Sequence, residues 1–226
     1  MDEEELKIPA GGHRQVRFSS PPDATEIVLV RHGETIAADP AEPFPLVDGH
    51  GDPELAPLGV EQAVRVAERL AGSKIDAIYV TTLRRTVETA APLAERTGLR
   101  PIVEPELREI RLGEWEGGLY RHKVMSRDPV AVEMFERERW DVVPGAESNE
   151  ELAARVRAAI ERIARDQPGR RVVAFSHGGA IGMVLSLATG SRPFAFVAVD
   201  NGAISTIVVS GERWFLRSFN DVCHLV

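Results

Sequence analysis

Three stretches of this chain place histidine or arginine close behind runs of aliphatic residues. They are Arg31-His32-Gly33 after Ile27-Val28-Leu29-Val30, Thr81-Thr82-Leu83-Arg84-Arg85 after Ile75 to Val80, and Ser176-His177-Gly178-Gly179 after Arg171-Val172-Val173-Ala174-Phe175. One histidine behind a strand is by itself an ordinary loop feature. Three such ends on parallel neighbours of one sheet would bring two imidazoles and at least two guanidiniums into a single crevice, where open α/β sheets bind ligands. Phosphate is the natural occupant. Arginine presents a rigid fork of donors that matches phosphate oxygens and stays charged. The glycines behind each histidine let backbone amides approach the same anion, and helix N-termini add favourable dipoles. A neutral imidazole among such cations is a nucleophile toward phosphorus, because positive surroundings depress its proton affinity and leave a lone pair free.

The elements that must position these groups follow from hydrophobic spacing. Unbroken aliphatic runs at 27–30 and 171–176 predict strands buried on both faces. From Gly59, the positions Val60, Ala63, Val64, Ala67 and Leu70 share one helical face, and Gly72 stops that helix. Ile75 to Val80 predicts a second strand, followed by a helix from Arg84-Arg85 through Ala90-Ala91 to Gly98, and Arg100 to Glu104 a short strand. Helices are expected from about Pro129 to Trp140 and from about Asn149 to Asp166. The latter carries Leu152, Val156, Ala159, Ile160 and Ile163 inward and takes Ser148 or Asn149 as its cap. A helix of small residues, Ala180 to Ala188, follows the second histidine. Ala203 to Val209 and Arg213 to Phe219 form a hairpin that turns at Ser210-Gly211-Glu212 and offers an edge strand for pairing two copies as a homodimer. Alternating strands and helices predict an α/β fold, a three-layer α/β/α sandwich with a mostly parallel central sheet.

Two regions lack regular pattern. Asp39 to Pro57 is rich in proline and glycine, and its place behind the first histidine suits a rim or lid, whose His50 and Asp48 could face the site but are expected as exposed turn residues. Glu116 to Trp140 mixes Arg121, His122 and Lys123, suited to a second anionic group, with Trp115 and Trp140, which together with Phe44 suit an apolar one. Residues 1–24, with their acidic start and Pro21-Pro22, are expected to be an extension, partly disordered or laid over the surface, ahead of a domain at 25–226. His13, Arg14 and Arg17 lie within it.

Composition narrows the partners. A net charge of −8 without a long basic run argues against nucleic-acid binding. The single cysteine, Cys223, forms no intramolecular disulfide or cysteine zinc cluster and suits a reduced, cytoplasmic setting. No apolar run approaches membrane-spanning length, and Asp2-Glu3-Glu4-Glu5 stands where a signal peptide would need basic residues.

With Leu58-Gly59-Val60-Glu61-Gln62-Ala63, Thr86, Thr89-Ala90, Leu107-Arg108-Glu109-Ile110, Gly113-Glu114-Trp115-Glu116-Gly117 and Pro144-Gly145 through Ser148, the three stretches resemble the histidine phosphatase superfamily, also called phosphoglycerate mutase-like. The pieces occur in that family's order and cover nearly all of the chain from Glu26 onward. The resemblance implies a phosphoglycerate mutase-like fold and transient phosphorylation of His32. It implies that Arg31, Arg85 and His177 hold the phosphoryl group, that Glu109 is the acid protonating the leaving oxygen, and that no metal or organic cofactor is required. A carboxyl shielded from the arginines would be protonated near neutral pH, as such an acid requires. Gly178 offers its amide to the phosphate. Thr35 and Ser176 either bond phosphate or shape their turns, Arg84 faces solvent, and the substrate is a small phosphomonoester.

The chain departs from many relatives at Ala38, where an asparagine is usual; Asn201 or the 39–51 loop would have to supply the polar contact instead. The leading reading is a phosphatase acting through phospho-His32. A phosphoglycerate mutase is the alternative, disfavoured by the short stretch between Ile110 and Ser176. A weak phospho-ligand binder is a further one, and a metal site built from His32, His177, Glu34 and Glu109 the least favoured, since none has helical H-E-x-x-H spacing.

Overall fold

A computed structural model describes His13 and residues 15–226; residues 1–12 and Arg14 of the predicted extension lie outside the described residues. The chain begins with strand β1 (Thr25–Arg31), the short pair β2 (Leu46–Val47) and β3 (His50–Gly51), helix α1 (Pro57–Ala71), β4 (Ala77–Val80), α2 (Arg84–Thr97) and β5 (Ile102–Val103). It continues through α3 (Leu119–Met125), α4 (Pro129–Arg137), α5 (Asn149–Asp166), β6 (Arg171–Ser176), α6 (Gly178–Thr189) and the hairpin β7 (Ile204–Ser210) with β8 (Arg213–Asp221).

The strands form a six-stranded sheet in the order β5-β4-β6-β1-β7-β8. The first four are mutually parallel, while β7 and β8 are antiparallel additions. Side-chain alternation divides the core between the two faces. Val28, Val30, Val173 and Phe175 pack with Val66, Leu70 and Leu93 of α1 and α2. Ile27, Leu29, Val172 and Ala174 pack with Val156, Ile160 and Ile163 of α5 and with α6. This is the three-layer sandwich, and it explains the uninterrupted aliphatic runs: both faces of β1 and β6 are covered.

The sheet order answers what the strand ends required. β6 lies between β1 and β4 and is parallel to both, with Arg31 in register with Ser176 and Tyr79 with Ala174. The three motif-bearing ends therefore emerge side by side at one edge. α5 begins on a capping box in which Ser148 and Glu151 satisfy each other's backbone N–H groups, worth about 1 kcal/mol.

The irregular regions differ more from expectation. The helix expected to reach Trp140 stops at Arg137, because Glu138 turns left-handed (φ 52°), and Trp140 sits in a separate 3-10 turn. α3 is an unanticipated helix behind Gly117-Gly118, both at positive φ. The 39–57 loop is tied down by its β2–β3 pair, a Thr35–Leu55 bridge and a Phe44 N–H donated to the Gly117 carbonyl. Among the described residues no helix is long and apolar enough to cross a membrane.

Candidate active site

His32 sits immediately past β1 and is buried. Its backbone N–H donates to the Ser176 carbonyl, and Asn201 Nδ2 donates to the His32 carbonyl at 2.9 Å. Asn201 thus braces the histidine turn rather than offering this amide to a ligand. The ring Nδ1 lies 2.7 Å from the Gly33 carbonyl, an acceptor only, so Nδ1 carries the proton and Nε2 keeps its lone pair. Gly33 is required here: a Cβ on it would stand 2.4 Å from the Gly59 carbonyl oxygen at the start of α1. Burial, and then Arg85 and Arg31, hold the His32 imidazole well below its ordinary pKa, so it is neutral at physiological pH.

The two arginines are anchored and incompletely used. Arg31 donates through Nη1 to the Val199 carbonyl, while its Nε is buried without a partner and lies close to Gly178. Arg85 donates to the Gly51 carbonyl at 2.8 Å and lies 3.7 Å from Asp52; burial lowers its pKa to about 10, leaving it charged. Arg84 points outward to Glu54 and Glu88.

His177 is fully buried, its ring centroid 5.2 Å from that of His32. A chain of hydroxyls defines its tautomer. Thr86 Oγ donates to the Leu83 carbonyl at 2.8 Å, so the 3.0 Å contact between Thr81 and Thr86 takes its proton from Thr81. Thr81 Oγ must then accept from His177 Nε2, also 3.0 Å away. Nδ1 is left as a buried lone pair with no partner. Burial, with Arg85 next, keeps this imidazole neutral as well. Ser176 is occupied, its Oγ donating to the Leu107 carbonyl at 2.7 Å.

Glu109 reaches the pocket from the loop after β5. Its carboxylate accepts the N–H groups of Ile110, Gly179 and Ala180, the last two at the start of α6, where the helix dipole favours negative charge. It is not shielded from the arginines: its charge is the leading influence opposing desolvation at both Arg31 and Arg85. The expectation of a screened carboxyl gives way to one cradled by amides between cations. Two residues to which the sequence reading gave no such role hold the Glu109 backbone. Arg155 of α5 donates to the carbonyls of Glu106, Arg108 and Glu109 while pairing with Glu147 at 2.6 Å. His50, expected as an exposed turn residue, is buried, with Nε2 3.1 Å from the Glu109 carbonyl. The inward turn of the β2–β3 pair places it there. Asp48 is exposed and pairs with Arg108.

Arg31, His32, His50, Arg85 and Glu109 line one end of a cavity of about 300 Å³ that also contains Phe44, Leu112, Trp115, Tyr120, Arg121 and Trp140. Arg121 donates to Thr35 Oγ and to the Ile36 carbonyl, so the Thr35 hydroxyl faces this guanidinium rather than open pocket. Ala38 packs against the start of α3: a Cβ on Gly118 would lie 2.7 Å from its own. Lys123 pairs with Asp128 and His122 is exposed, so of the three basic residues anticipated here Arg121 alone reaches the cavity. Among the described residues no cluster of three histidine, cysteine or carboxylate side chains suits a metal ion.

The model of the histidine phosphatase superfamily (branch 1) matches residues 27–222. The chain belongs to this superfamily. Phosphoglycerate mutase-like protein 4 of Arabidopsis thaliana is 37% identical over 210 residues, covering 90% of this chain and 88% of that protein. The metal-independent phosphoserine phosphatase of the same plant is 31% identical over 207 residues, 90% of this chain and 84% of that one. A mycobacterial glucosyl-3-phosphoglycerate phosphatase, solved with inorganic phosphate, superposes with a TM-score of 0.69 at 30% identity, covering 88% of this chain and 98% of its own.

For a histidine phosphatase superfamily member, the residues that escaped sequence reading are Thr81, Arg155, Tyr120 and the buried role of His50. Arg155 had a signal: it lies three residues after Leu152 and four before Ala159, on the inward face of α5. Tyr120 follows two glycines as the second residue of a seven-residue helix, too short a pattern to show a face.

Proposed function

We propose that this protein is a phosphatase that hydrolyses a small phosphomonoester through a phosphohistidine on His32, with residues 25–226 as the catalytic unit. The carrying observation is the state of His32: a neutral, buried ring with Nδ1–H fixed to the Gly33 carbonyl and Nε2 free between two charged arginines. A phosphoryl group would give Arg31 Nε and His177 Nδ1 the partners they lack. In this reading Arg31, Arg85 and the Gly178 amide hold its oxygens. His177 joins them as a donor once Nδ1 is protonated, and Thr35 acts at one remove through Arg121.

His32 Nε2 attacks phosphorus, the P–O bond to the alcohol breaks, and Glu109, protonated by the incoming phosphoester monoanion, gives that proton to the leaving oxygen. The resulting carboxylate is received by the three amides that cradle it. It then takes a proton from water as the water oxygen attacks phosphorus and the P–N bond breaks, returning neutral His32 and inorganic phosphate. The arginines disperse charge on the transferring group, the usual electrostatic contribution to phosphoryl transfer.

Relatives named as phosphatases and as mutase-like proteins leave two acceptors for the phosphoryl group, water or a second hydroxyl. Incubation with a radiolabelled phosphoester should trap acid-labile, base-stable phosphate on the wild type and none on His32→Ala. Supplying 3-phosphoglycerate with its 2,3-bisphosphate should release free phosphate. Rapid interconversion of 2- and 3-phosphoglycerate with little free phosphate would establish the mutase instead.

A further inference from the structure

The pocket is divided between a charged end and an apolar one, and the apolar end has no use in holding a phosphoryl group. Beyond Glu109 the cavity is walled by Phe44, Ile110, Leu112, Tyr120, Trp140 and Val199. Tyr120 lies between Trp115 and Trp140, with ring centroids 6.4 and 6.2 Å away, and burial followed by Glu109 pushes its pKa up to about 12, so its hydroxyl is neutral. The Tyr120 hydroxyl and the Trp140 indole N–H find no protein hydrogen-bond partner among the described residues, so this wall presents neutral donors and aromatic surface.

The charges that remain do not welcome a second anion. Glu116 lines the same side, its two carboxylate oxygens taken by the N–H groups of Gly51 and Leu112 at 2.8 and 2.7 Å. Glu109 stands opposite the arginines, between the phosphoryl end and this wall. Arg121 donates to the Thr35 hydroxyl and the Ile36 carbonyl, and its guanidinium lies 5.6 Å from the Phe44 ring centroid. A substrate carboxylate placed against this wall would lose its hydration and face two acidic side chains, while Arg121, the one further guanidinium lining the cavity, is held toward Thr35 and Phe44.

We infer that the alcohol portion of the substrate is uncharged and largely apolar, an aryl or bulky alkyl group, rather than one bearing a carboxylate or second phosphate. This rests on the phosphatase reading and deepens it. Such a group gains by burial against aromatic side chains and leaves no polar atom unpaired.

Three primary alkyl phosphates of similar intrinsic reactivity separate the possibilities: 2-phenylethyl phosphate, phosphoserine and 3-phosphoglycerate. The expected kcat/KM for the phenylethyl ester exceeds both of the others by at least about tenfold, as removal of one aromatic group from water implies. Ala198→Arg, a cation installed at an exposed position of the rim, should narrow that ratio by about tenfold; Leu112→Arg should do the same from a partly buried position. Preference of the wild type for phosphoserine or 3-phosphoglycerate would overturn the inference while leaving the phosphatase standing. Failure of all three esters, with no phosphoenzyme formed from any, would overturn both.

Discussion

The two ends of the pocket are held by different means. At the phosphoryl end, His32, Arg85, Thr81 and His177 project from three adjacent parallel strands or the first turn behind them, and strand register brings them together. At the leaving-group end, Glu109, Tyr120 and Trp140 stand on loops and short helices pinned by side-chain to backbone bonds, chiefly those of Arg155, His50 and Glu116. The sheet lays out the first end, and single bonds from Asn201 and Thr81 and to the Gly51 and Val199 carbonyls complete it. The second end depends on individual contacts, so its residues can change with the substrate while the chemistry at the first is kept.

Removing the nucleophile breaks the strand-borne end most completely. His32→Ala should lower kcat by at least about 10⁴-fold, the scale on which nucleophile deletions act, and abolish the trapped phosphoenzyme. Steady-state assay of phosphate release checks the first, and acid-sensitive label on the denatured protein the second. A variant retaining a tenth of the wild-type rate would remove His32 from the reaction.

Glu109→Gln tests the other end, and its effect should depend on the substrate. With an alkyl phosphate, whose alkoxide needs a proton, kcat should fall about 10²–10⁴-fold. With p-nitrophenyl phosphate, whose leaving group departs without one, the fall should be much smaller. Equal losses on both esters would make Glu109 a structural plug of the α6 N-terminus rather than the acid.

The same division governs what could be read from the residues alone. The strands were legible because β1 and β6 are covered on both faces, which demands uninterrupted aliphatic runs, and because each run stops abruptly at His or Arg. The helix spacing of α1 and α5 was equally plain. What escaped were partners joined across long separations by single bonds. Arg155 meets the Glu109 carbonyl 46 positions away, and His50 meets it across 59. Neither bond leaves a periodic trace, and His50 between two glycines looks like a turn tip. The departure at Ala38 was visible but its surroundings were not: Gly118 presses against it, and Arg121, one turn further along α3, brings its charge to Thr35.

Thr81 offers a finer test of the phosphoryl end, since its hydroxyl connects β4 to the histidine behind β6. In Thr81→Val the proton on His177 Nε2 loses its acceptor, and a buried donor without a partner costs about 1–3 kcal/mol. Holding the phosphoryl group through Nδ1–H needs protons on both ring nitrogens, so the lost acceptor disfavours that state, and a ring that turns away to avoid the cost loses the phosphoryl contact. The expected loss in kcat/KM is about tenfold, with a changed pH profile, and Thr81→Ser should recover most of it. A Val variant indistinguishable from wild type in rate and pH profile would show that sheet register positions His177 without the hydroxyl chain.

The smallest expected effect is on stability, and it follows from the neutral state of the two buried histidines. In the unfolded chain both ionise near their ordinary value of about 6.5. In the folded protein burial, reinforced by the neighbouring arginines, holds both well below it. Between those limits the unfolded chain binds more protons than the folded one, so acidification favours unfolding. Their full contribution is present above about pH 6.5. It is lost as pH falls toward the depressed values, at up to about 1.4 kcal/mol per pH unit for each histidine. Denaturant titrations between pH 7 and 5 should therefore show a slope that is shallower in His177→Gln and in His32→Gln than in wild type. Parallel slopes in all three proteins would mean that the phosphoryl end admits a proton when empty, and that its rigidity does not extend to the charge state of its histidines.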